Sequence, residues 1–417
     1  MRRKTTPLSV PAFRRVWAGA TVSAAGDAAS WVALVALSLG PARASLPILV
    51  ALYTAPVAVG GLAAGWALDR FDRRRLMILD SLLRGAAFAS IPLVAVFARL
   101  GAAQLYAVAA VYGLFKMIGL AGFPSLIPSL VPGPELDQAN ALEGVSYGLA
   151  SLAGAGLAGL AVATTGPADV VAFDAASYLL MALCLWSVRG LSSPARRPRT
   201  RHANAPGTAG FRAVLRLAAT NPVLRNTTIM FAVFNIGEGA LLVFLPHRAL
   251  QLGLGSGGYG FLVAATTAGQ LLAALILTWL TWKAPLPVSI AAAQIAAALI
   301  TALLVIRSAA VTVAALVALG MCSAPMTAWA QSLRMRLVPP EAHGRLFALL
   351  RTAMQATPPA GAGLAALVLG QGTPITVAAI AAAMGLPVAC LGYSLIRAPI
   401  PNRTAEVPGP QPTAADP

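Results

Sequence analysis

The sequence predicts an all-α integral membrane protein with twelve transmembrane helices, arranged as two pseudo-symmetric halves of six. Three observations predict this fold class: an apolar composition, a series of long apolar segments, and a partial repeat of the first half of the chain in the second. Of the 417 residues, 58% are hydrophobic and only 10% are charged. Soluble domains carry about 25% charged residues, so the composition excludes a soluble enzyme of this size.

Twelve segments are long and apolar enough to cross a bilayer, whose hydrocarbon core takes about 20 residues of helix. These segments cover residues 16–38, 46–68, 76–98, 102–126, 141–163, 168–188, 226–246, 258–280, 285–306, 309–331, 346–369 and 374–396. The first apolar segment is too long for the core of a signal peptide, so we expect an uncleaved first helix.

The basic residues concentrate in alternate loops between these segments. One set of loops, which includes both termini, carries Arg2, Arg3, Lys4, Arg14, Arg15, Arg70, Arg73 to Arg75, the basic run 189–225, Lys283, Arg334, Arg336 and Arg345. The other loops carry only Arg43, Arg99, Arg248 and Arg307. Because positive residues stay on the cytoplasmic side, we expect both termini in the cytoplasm. The abundance of Ala, Gly, Arg and Pro suggests a bacterial source, so we expect the protein in the bacterial plasma (inner) membrane. The net charge of +17 is spread over these loops without a separate basic domain, which argues against nucleic-acid binding.

The longest loop divides the chain. Its sequence RGLSSPARRPRTRHANAPGTAG is rich in Pro, Arg and Ala and predicts a mobile linker, followed by a short amphipathic helix. The predicted organisation is a first six-helix half at 1–188, the basic cytoplasmic linker at 189–222, a second six-helix half at 223–397 and a disordered cytoplasmic tail at 398–417.

Two matches between the halves indicate a duplication. PAFRRVWAGATVSAAGDA, from residue 11, aligns with PVLRNTTIMFAVFNIGEG, from residue 222, so that Asp27 corresponds to Glu238. SLIPSLVPGPELDQANAL, from residue 125, resembles SLRMRLVPPEAHGRLFAL, from residue 332. Parallel repeats of six helices are the plan of one class of secondary transporter.

Asp27 and Glu238 are carboxylates inside predicted membrane helices. A charged side chain at the bilayer centre costs about 2.5–3.5 kcal/mol on insertion scales, and it is tolerated where it faces a cavity or a partner. One interpretation is that both residues flank a central cavity, where they carry protons or bind a cationic substrate. The alternative is that they are structural carboxylates that cap a helix break or pair with a neighbour.

Glu143, at the start of the fifth predicted helix, is interpreted as a first-turn acid that the helix dipole favours. Four more ionisable residues of the predicted helices are candidates for the site or for structural roles. Lys116 is near the middle of the fourth helix, and we expect it to face the cavity, either as an anion-attracting residue or neutralised by Asp27 or another acid. Asp80 and Arg84 are four residues apart on one helix face, which predicts a structural ion pair. Asp174, in the sixth helix, is interpreted as structural.

The loop after the second helix reads GWALDRFDRRRLM and resembles the cytoplasmic signature G-x-x-x-D-R-x-G-R-R of the major facilitator superfamily. Gly65, Asp69, Arg70, Arg73 and Arg74 match, whereas Asp72 replaces the second glycine. The stretches FRRVWAGATVSAAGDA, FPSLIPSLVPGPELDQANAL, FDAASYLL and LVPPEAHGRLFAL resemble the drug-efflux branch that includes macrolide and enterobactin exporters. The Gly-Pro pair that antiporters of this kind often carry in the fifth helix is absent.

The resemblance implies a gate on the cytoplasmic side. Asp69 would lie near the start of the eleventh helix, close to Arg345, and with Arg73 it would form a latch that protonation in the cavity releases. The alternative is that the DRFDRRR segment is only a positive anchor.

The resemblance also implies secondary active transport, namely proton-coupled export of hydrophobic or amphiphilic drugs or natural products by alternating access. A siderophore exporter or an uptake permease is the alternative within transport, and an integral-membrane enzyme is the alternative outside it. The expected partners are a small-molecule substrate, protons and the lipid bilayer. No P-loop is present, so ATP is not the direct energy source. No cofactor is expected, because His202, His247 and His343 have no metal-ligand spacing.

Overall fold

The computed structural model describes residues 6–188, 219–255, 257–280, 284–337 and 356–397, together with residues 216, 282, 350 and 354. The predicted tail at 398–417, and all of the predicted linker except 216 and 219–222, lie outside the described residues. The predicted domain boundaries therefore stay predictions.

Within the described residues the chain is helical and contains no strand. In the part of the chain that the structure describes, twelve helices have eleven residues or more. They are α1 (Pro11–Leu39), α2 (Leu46–Arg70), α3 (Arg73–Phe97), α4 (Ala102–Leu130), α5 (Leu136–Thr164), α6 (Pro167–Ser187), α7 (Pro222–Gln251), α8 (Gly258–Trp279), α9 (Leu286–Ala302), α10 (Ala309–Leu337), α11 (Pro358–Val368) and α12 (Thr373–Arg397).

Among the described residues, eleven helices are long and apolar enough to cross a membrane. They are all of the helices above except α11, for which only Pro358–Val368 is described as a continuous helix. The predicted eleventh segment begins at residue 346, and most of its first turns lie outside the described residues. Large apolar side chains such as Trp279, Phe97 and Val96 are exposed on the outside of the bundle, as expected where lipid replaces water.

Several helices are longer than the apolar segments that predicted them. The first predicted segment starts at residue 16, but α1 begins at Pro11; the seventh spans 226–246, but α7 spans Pro222–Gln251. Proline favours the first turn of a helix because its missing N–H would be unpaired there. In α7, the Asn221 side chain also accepts hydrogen bonds from the first-turn N–H groups. As a result, His247, which follows directly after the predicted segment 226–246, lies within α7.

The helices pack as two groups with the same pattern of neighbours. In the first group α1 packs on α5 and α6, α2 on α4, and α3 on α4 and α6. In the second group α7 packs on α11 and α12, α8 on α10, and α9 on α10 and α12. Each pair in the first group recurs six helices later in the second.

The main contacts between the two groups are those of α5 with α8 and of α2 with α11. At the α5–α8 contact the backbones meet at glycine, since a Cβ on Gly159 would lie 2.5 Å from the Gly257 carbonyl oxygen. Small residues permit this close approach of membrane helices.

Candidate functional site

A cavity that is partly open to the outside lies among α1, α3, α4, α5 and α6. It is near the end of the bundle where α1, α3 and α5 begin and where α4 and α6 end. Its ionisable lining residues are Asp27, Asp80, Arg84, Lys116 and Glu143, and its largest apolar and aromatic ones are Met77, Leu120, Phe123, Tyr147 and Met181. The cavity therefore combines a mainly apolar wall with a few charged groups, as small-molecule sites commonly do.

Arg84 links two carboxylates from different helices. Its Nε donates to Asp80 Oδ1 at 3.0 Å and its Nη2 to Asp80 Oδ2 at 2.5 Å, so the pair predicted from the four-residue spacing is present and bidentate. Its Nη1 lies 3.6 Å from Asp27 Oδ1. Arg84 and Asp80 are both buried. A planar guanidinium suits this arrangement because its fork of donors can bind two acceptors at once.

Asp27 lies at the junction of α1, α3 and α6. Its side chain is 22% exposed, whereas that of Arg84 is 5% exposed. The Tyr178 hydroxyl donates to Asp27 Oδ1 and accepts from Arg84 Nη1 at 3.1 Å. Asp80 also lines the cavity and contacts Arg84, but its side chain is only 1% exposed, so Asp27 is the more accessible carboxylate of this network.

Asp174 lies behind Asp27 and is fully buried. Its Oδ1 accepts a hydrogen bond from Ser177 Oγ at 2.9 Å. Among the described residues its Oδ2 has no hydrogen-bond partner. Gly26 provides the space for this carboxylate, because a Cβ on Gly26 would overlap Asp174 Oδ1 and lie 2.6 Å from Ser177 Oγ.

Aromatic rings surround the two cations. Tyr53 stacks on Tyr112 with ring centroids 4.4 Å apart. Lys116 Nζ lies 5.5 Å from the centroid of each of these rings, and the Arg84 guanidinium lies 4.5 Å from that of Tyr178. The negative faces of aromatic rings attract cations. Lys116 thus lines the cavity, and the described contacts of its ammonium group include two tyrosine rings.

Glu238 is in α7 and is not among the residues that line this cavity. Its neighbours in sequence fix its position: a Cβ on Gly237 would meet Met384 of α12, and one on Gly239 would meet the backbone of Pro358 in α11. The structure brings Asp27, Lys116, Asp80 and Arg84 together, and it places Glu238 in the other group of helices. A cavity shared by Asp27 and Glu238 stays a prediction.

The signature loop joins α2 to α3. Arg73 donates to the Leu68 carbonyl at 3.3 Å and to the Ser125 carbonyl at 2.9 Å. Arg74 donates to the Leu185 and Trp186 carbonyls, both at 2.7 Å, at the end of α6. These contacts stay within the first group of helices and neutralise the negative ends of its helix dipoles.

Two of the remaining signature residues, Gly65 and Arg70, have few contacts among the described residues. The Arg70 guanidinium lies 5.7 Å from the centroid of the Trp66 ring, and a Cβ on Gly65 would meet nothing within 4 Å. The side chain of Asp69 and all of Arg345 lie outside the described residues. The predicted latch is therefore untested.

Sequence reasoning missed Tyr178 and Glu143 as members of the site. Tyr178 is four residues after Asp174 on α6, and that spacing places both on one helix face. Glu143 was interpreted as an acid in the first turn of the fifth helix. Because α5 begins at Leu136, Glu143 is in the second turn and its side chain lines the cavity. Among the described residues, no group of three His, Cys, Asp or Glu side chains could hold a metal ion.

Known proteins resemble this chain over much of its length. It is 28% identical over 374 residues to the uncharacterized MFS-type transporter y4rN of Sinorhizobium fredii, a match that covers 86% of this chain and 89% of that protein. The multidrug efflux pump Tap of Mycolicibacterium fortuitum is 28% identical over 184 residues, 42% of this chain and 44% of Tap. The enterobactin exporter EntS of Shigella boydii is 27% identical over 217 residues, 52% of this chain and 50% of EntS. The chain thus matches only about half the length of the two exporters.

The fold also has known counterparts. The crystal structure of a mutant of the peptide transporter POT superposes with a TM-score of 0.71 over 91% of this chain and 94% of that one, at 15% identity. At this identity the likeness establishes the fold alone.

A family match covers nearly the entire sequence. Residues 3–412 match the family described as transmembrane secretion effector. Its members and the relatives above are transporters and not enzymes, so the alternative of an integral-membrane enzyme is excluded. The chain is a multi-pass membrane transporter of the major facilitator type, and it belongs to the transmembrane secretion effector family.

Proposed function

We propose that the protein is a proton-coupled exporter of hydrophobic or amphiphilic compounds that works by alternating access. In this proposal α1–α6 and α7–α12 are two pseudo-symmetric halves that rock about the α5–α8 and α2–α11 contacts. The recurrence of the same helix pairs in both groups supports the two halves. Both termini would be cytoplasmic, and the cavity would then open toward the cytoplasm, where an exporter collects its substrate.

One observation carries the proton coupling: of the two carboxylates that line the cavity and contact the buried Arg84, Asp27 is the more exposed. Protonation of Asp27 would remove one of the two negative charges that hold Arg84, and the guanidinium would then pair with Asp80 alone. Because the Tyr178 hydroxyl bonds to both groups, its hydrogen bonds would rearrange at the same time. A proton taken up at Asp27 would in this way change the packing of α1, α3 and α6, the three helices that these residues join.

The proton gradient supplies enough free energy for export. One charge crossing 100 mV releases about 2.3 kcal/mol, and a thousandfold concentration ratio needs about 4.1 kcal/mol. One or two protons per substrate would therefore suffice.

We also propose that Asp69, Arg73 and Arg345 close the cytoplasmic side as a latch. The described bonds of Arg73 to the Leu68 and Ser125 carbonyls hold this arginine beside the end of α2, which supports its part in the latch. Glu238, in the second half, is a second candidate for proton coupling.

Siderophore export is the second candidate function, and the resemblance to EntS favours it. The siderophore would enter the same cavity, so the two functions differ in the substrate and not in the site. An uptake permease is less well supported, because the relatives with a named activity are exporters.

The test is proton flux in inside-out vesicles. With an imposed pH gradient, adding lipophilic drugs should drive protons through the unmutated protein. Asp27→Asn should reduce this proton flux about tenfold or more, because an asparagine side chain cannot take up and release a proton. Asp27→Glu should keep part of it. The matched control is Asp169→Asn, which removes an exposed carboxylate at the start of α6.

Substrate-driven proton flux that persists unchanged in Asp27→Asn would overturn the assignment of Asp27. Repeating the assay with an iron-free catecholate siderophore separates the two candidate functions, since a siderophore exporter responds to the catecholate and not to the drugs.

A further inference from the structure

The cavity contains one carboxylate that the proton-coupling network does not use. Glu143 lines the cavity from α5, and within the described part of the chain it forms no hydrogen bond or ion pair. The other lining carboxylates differ: Asp80 is bound by Arg84 through two hydrogen bonds, and Asp27 contacts Arg84 and Tyr178. A charged carboxylate in an apolar setting is costly unless it is paired. A positively charged ligand therefore stabilises it most where no protein group already does so.

The described contacts join neither cation of the cavity to Glu143. Arg84 is held by Asp80 and Asp27, and the ammonium group of Lys116 faces the rings of Tyr53 and Tyr112. With these two cations opposed by three lining carboxylates, the cavity has a formal excess of negative charge when all five groups are ionised. An incoming organic cation is favoured over an anion by this balance.

The surroundings of Glu143 fit the body of an amphiphilic cation. Tyr147 is one helical turn from Glu143 on α5, and this residue is 40% exposed. Phe123, Met77 and Met181 complete the apolar wall. Aromatic faces attract organic cations, and the flexible methionine side chains adapt to ligands of different shape.

We propose that Glu143 is the residue that recognises the positive charge of the substrate, and that the transported compounds are amphiphilic organic cations with an aromatic or apolar body. The proposal rests on the proposed export function and narrows its substrate class. In this proposal the two carboxylates have different roles: Glu143 on α5 binds the substrate cation, and Asp27 on α1 exchanges the proton. The two sites share one cavity, so loading one can influence the other without a long-range pathway.

Binding to the purified full-length protein in detergent tests this assignment directly. Tetraphenylphosphonium and tetraphenylborate have the same shape and opposite charge, and their affinities can be measured by calorimetry. The unmutated protein should bind the phosphonium more tightly. Glu143→Gln should weaken phosphonium binding at least about tenfold, equivalent to about 1.4 kcal/mol, and should leave borate binding unchanged or stronger. Glu143→Asp should be intermediate.

The matched control is Asp137→Asn, which removes a carboxylate from the same helix at a position outside the cavity lining. It should leave both affinities unchanged. Size-exclusion elution and the thermal midpoint of each variant establish that it is folded. Unchanged phosphonium affinity in folded Glu143→Gln would overturn the proposal. The proposal would also be overturned if the unmutated protein bound the borate more tightly than the phosphonium and Lys116→Gln abolished that borate binding, because the site would then recognise anions.

The same protein in vesicles separates this inference from the proposed function. If the phosphonium binds through Glu143 but drives no proton flux, the coupling proposal fails and the recognition site stands. If drugs drive proton flux equally well in Glu143→Gln, for neutral and cationic compounds alike, the recognition site fails and the coupling stands.

Discussion

At the scale of single residues, the site depends on how closely its charged groups are packed. Arg84 joins Asp80 of its own helix to Asp27 of α1, and Tyr178 of α6 bonds to both Arg84 and Asp27. Removing one partner of a buried charge pair costs more than the pair contributes, because the other charge remains buried and unpaired. The network is therefore sensitive to small changes in the backbone around it.

Gly26 provides a test of this packing. Gly26→Ala should lower the thermal midpoint by several degrees and reduce transport, because the added methyl group overlaps Asp174 and crowds Ser177. Overpacking of a buried site costs about 1–3 kcal/mol. The measurement is thermal unfolding in detergent, followed by the vesicle assay.

Gly363→Ala is the control, since a Cβ there meets nothing within 4 Å. It should be neutral or slightly stabilising, because alanine favours the helix. If Gly26→Ala is as stable and active as Gly363→Ala, Asp174 does not need the space that Gly26 leaves.

At the scale of elements, the signature loop departs from the superfamily pattern at Asp72, the residue directly before α3. Asp72 stands where the superfamily signature has glycine, and its φ of −62° is one that any residue adopts. Its side chain accepts a hydrogen bond from the Arg75 N–H at 2.8 Å. The residue is an N-cap, which satisfies one of the unpaired N–H groups at the helix start.

Asp72→Ala should therefore destabilise the protein by about 1 kcal/mol, the usual contribution of an N-cap side chain. Asp72→Asn keeps the acceptor and should retain most of the stability. Thermal or denaturant unfolding of both variants measures the difference. Equal destabilisation by alanine and asparagine would mean that the charge of Asp72, and not the cap, is what stabilises this loop.

At the scale of the whole molecule, a buried hydrogen bond connects the two groups of helices. The Trp31 indole N–H of α1 donates to the Tyr259 hydroxyl of α8 at 2.6 Å. Beside it, Ala36, Leu39, Pro246 and Gly255 line a second, mainly apolar cavity at the far ends of α1 and α7. In the proposed orientation this bond would help to keep the side away from the cytoplasm closed.

Breaking that bond should shift the population toward a state that is open on the far side. In a variant without native cysteines, Ala36→Cys should react faster with a membrane-impermeant maleimide once Trp31→Phe or Tyr259→Phe is added. One hydrogen bond contributes about 0.5–1.5 kcal/mol, so we expect a rate increase of about two- to tenfold.

Trp282→Phe is the matched control, because Trp282 donates to Ser289 within the second group. It should leave the labelling rate unchanged. Equal rates in all of these variants would show that the Trp31–Tyr259 bond does not hold the two groups together.

The membrane class, the family and the positions of most helices could be predicted from the sequence alone. Long apolar segments are a local signal, since a bilayer allows few structures other than helices to cross it. The Asp80–Arg84 pair was predictable for the same reason, because a spacing of four residues on a helix fixes its geometry. Helix ends were less predictable, since α1 and α7 extend beyond their apolar cores through proline and Asn221.

Which charged groups of different helices meet could not be predicted from the sequence, because it depends on how the helices pack. Asp27, Arg84 and Tyr178 are on three different helices, and nothing in the local sequence specifies how those helices rotate against each other. The same packing placed Glu143 in the cavity of the first group of helices and left Glu238, the repeat counterpart of Asp27, out of it. A site in a helical bundle arises from helix rotation and contact, and these depend on the close packing of residues far apart in the chain.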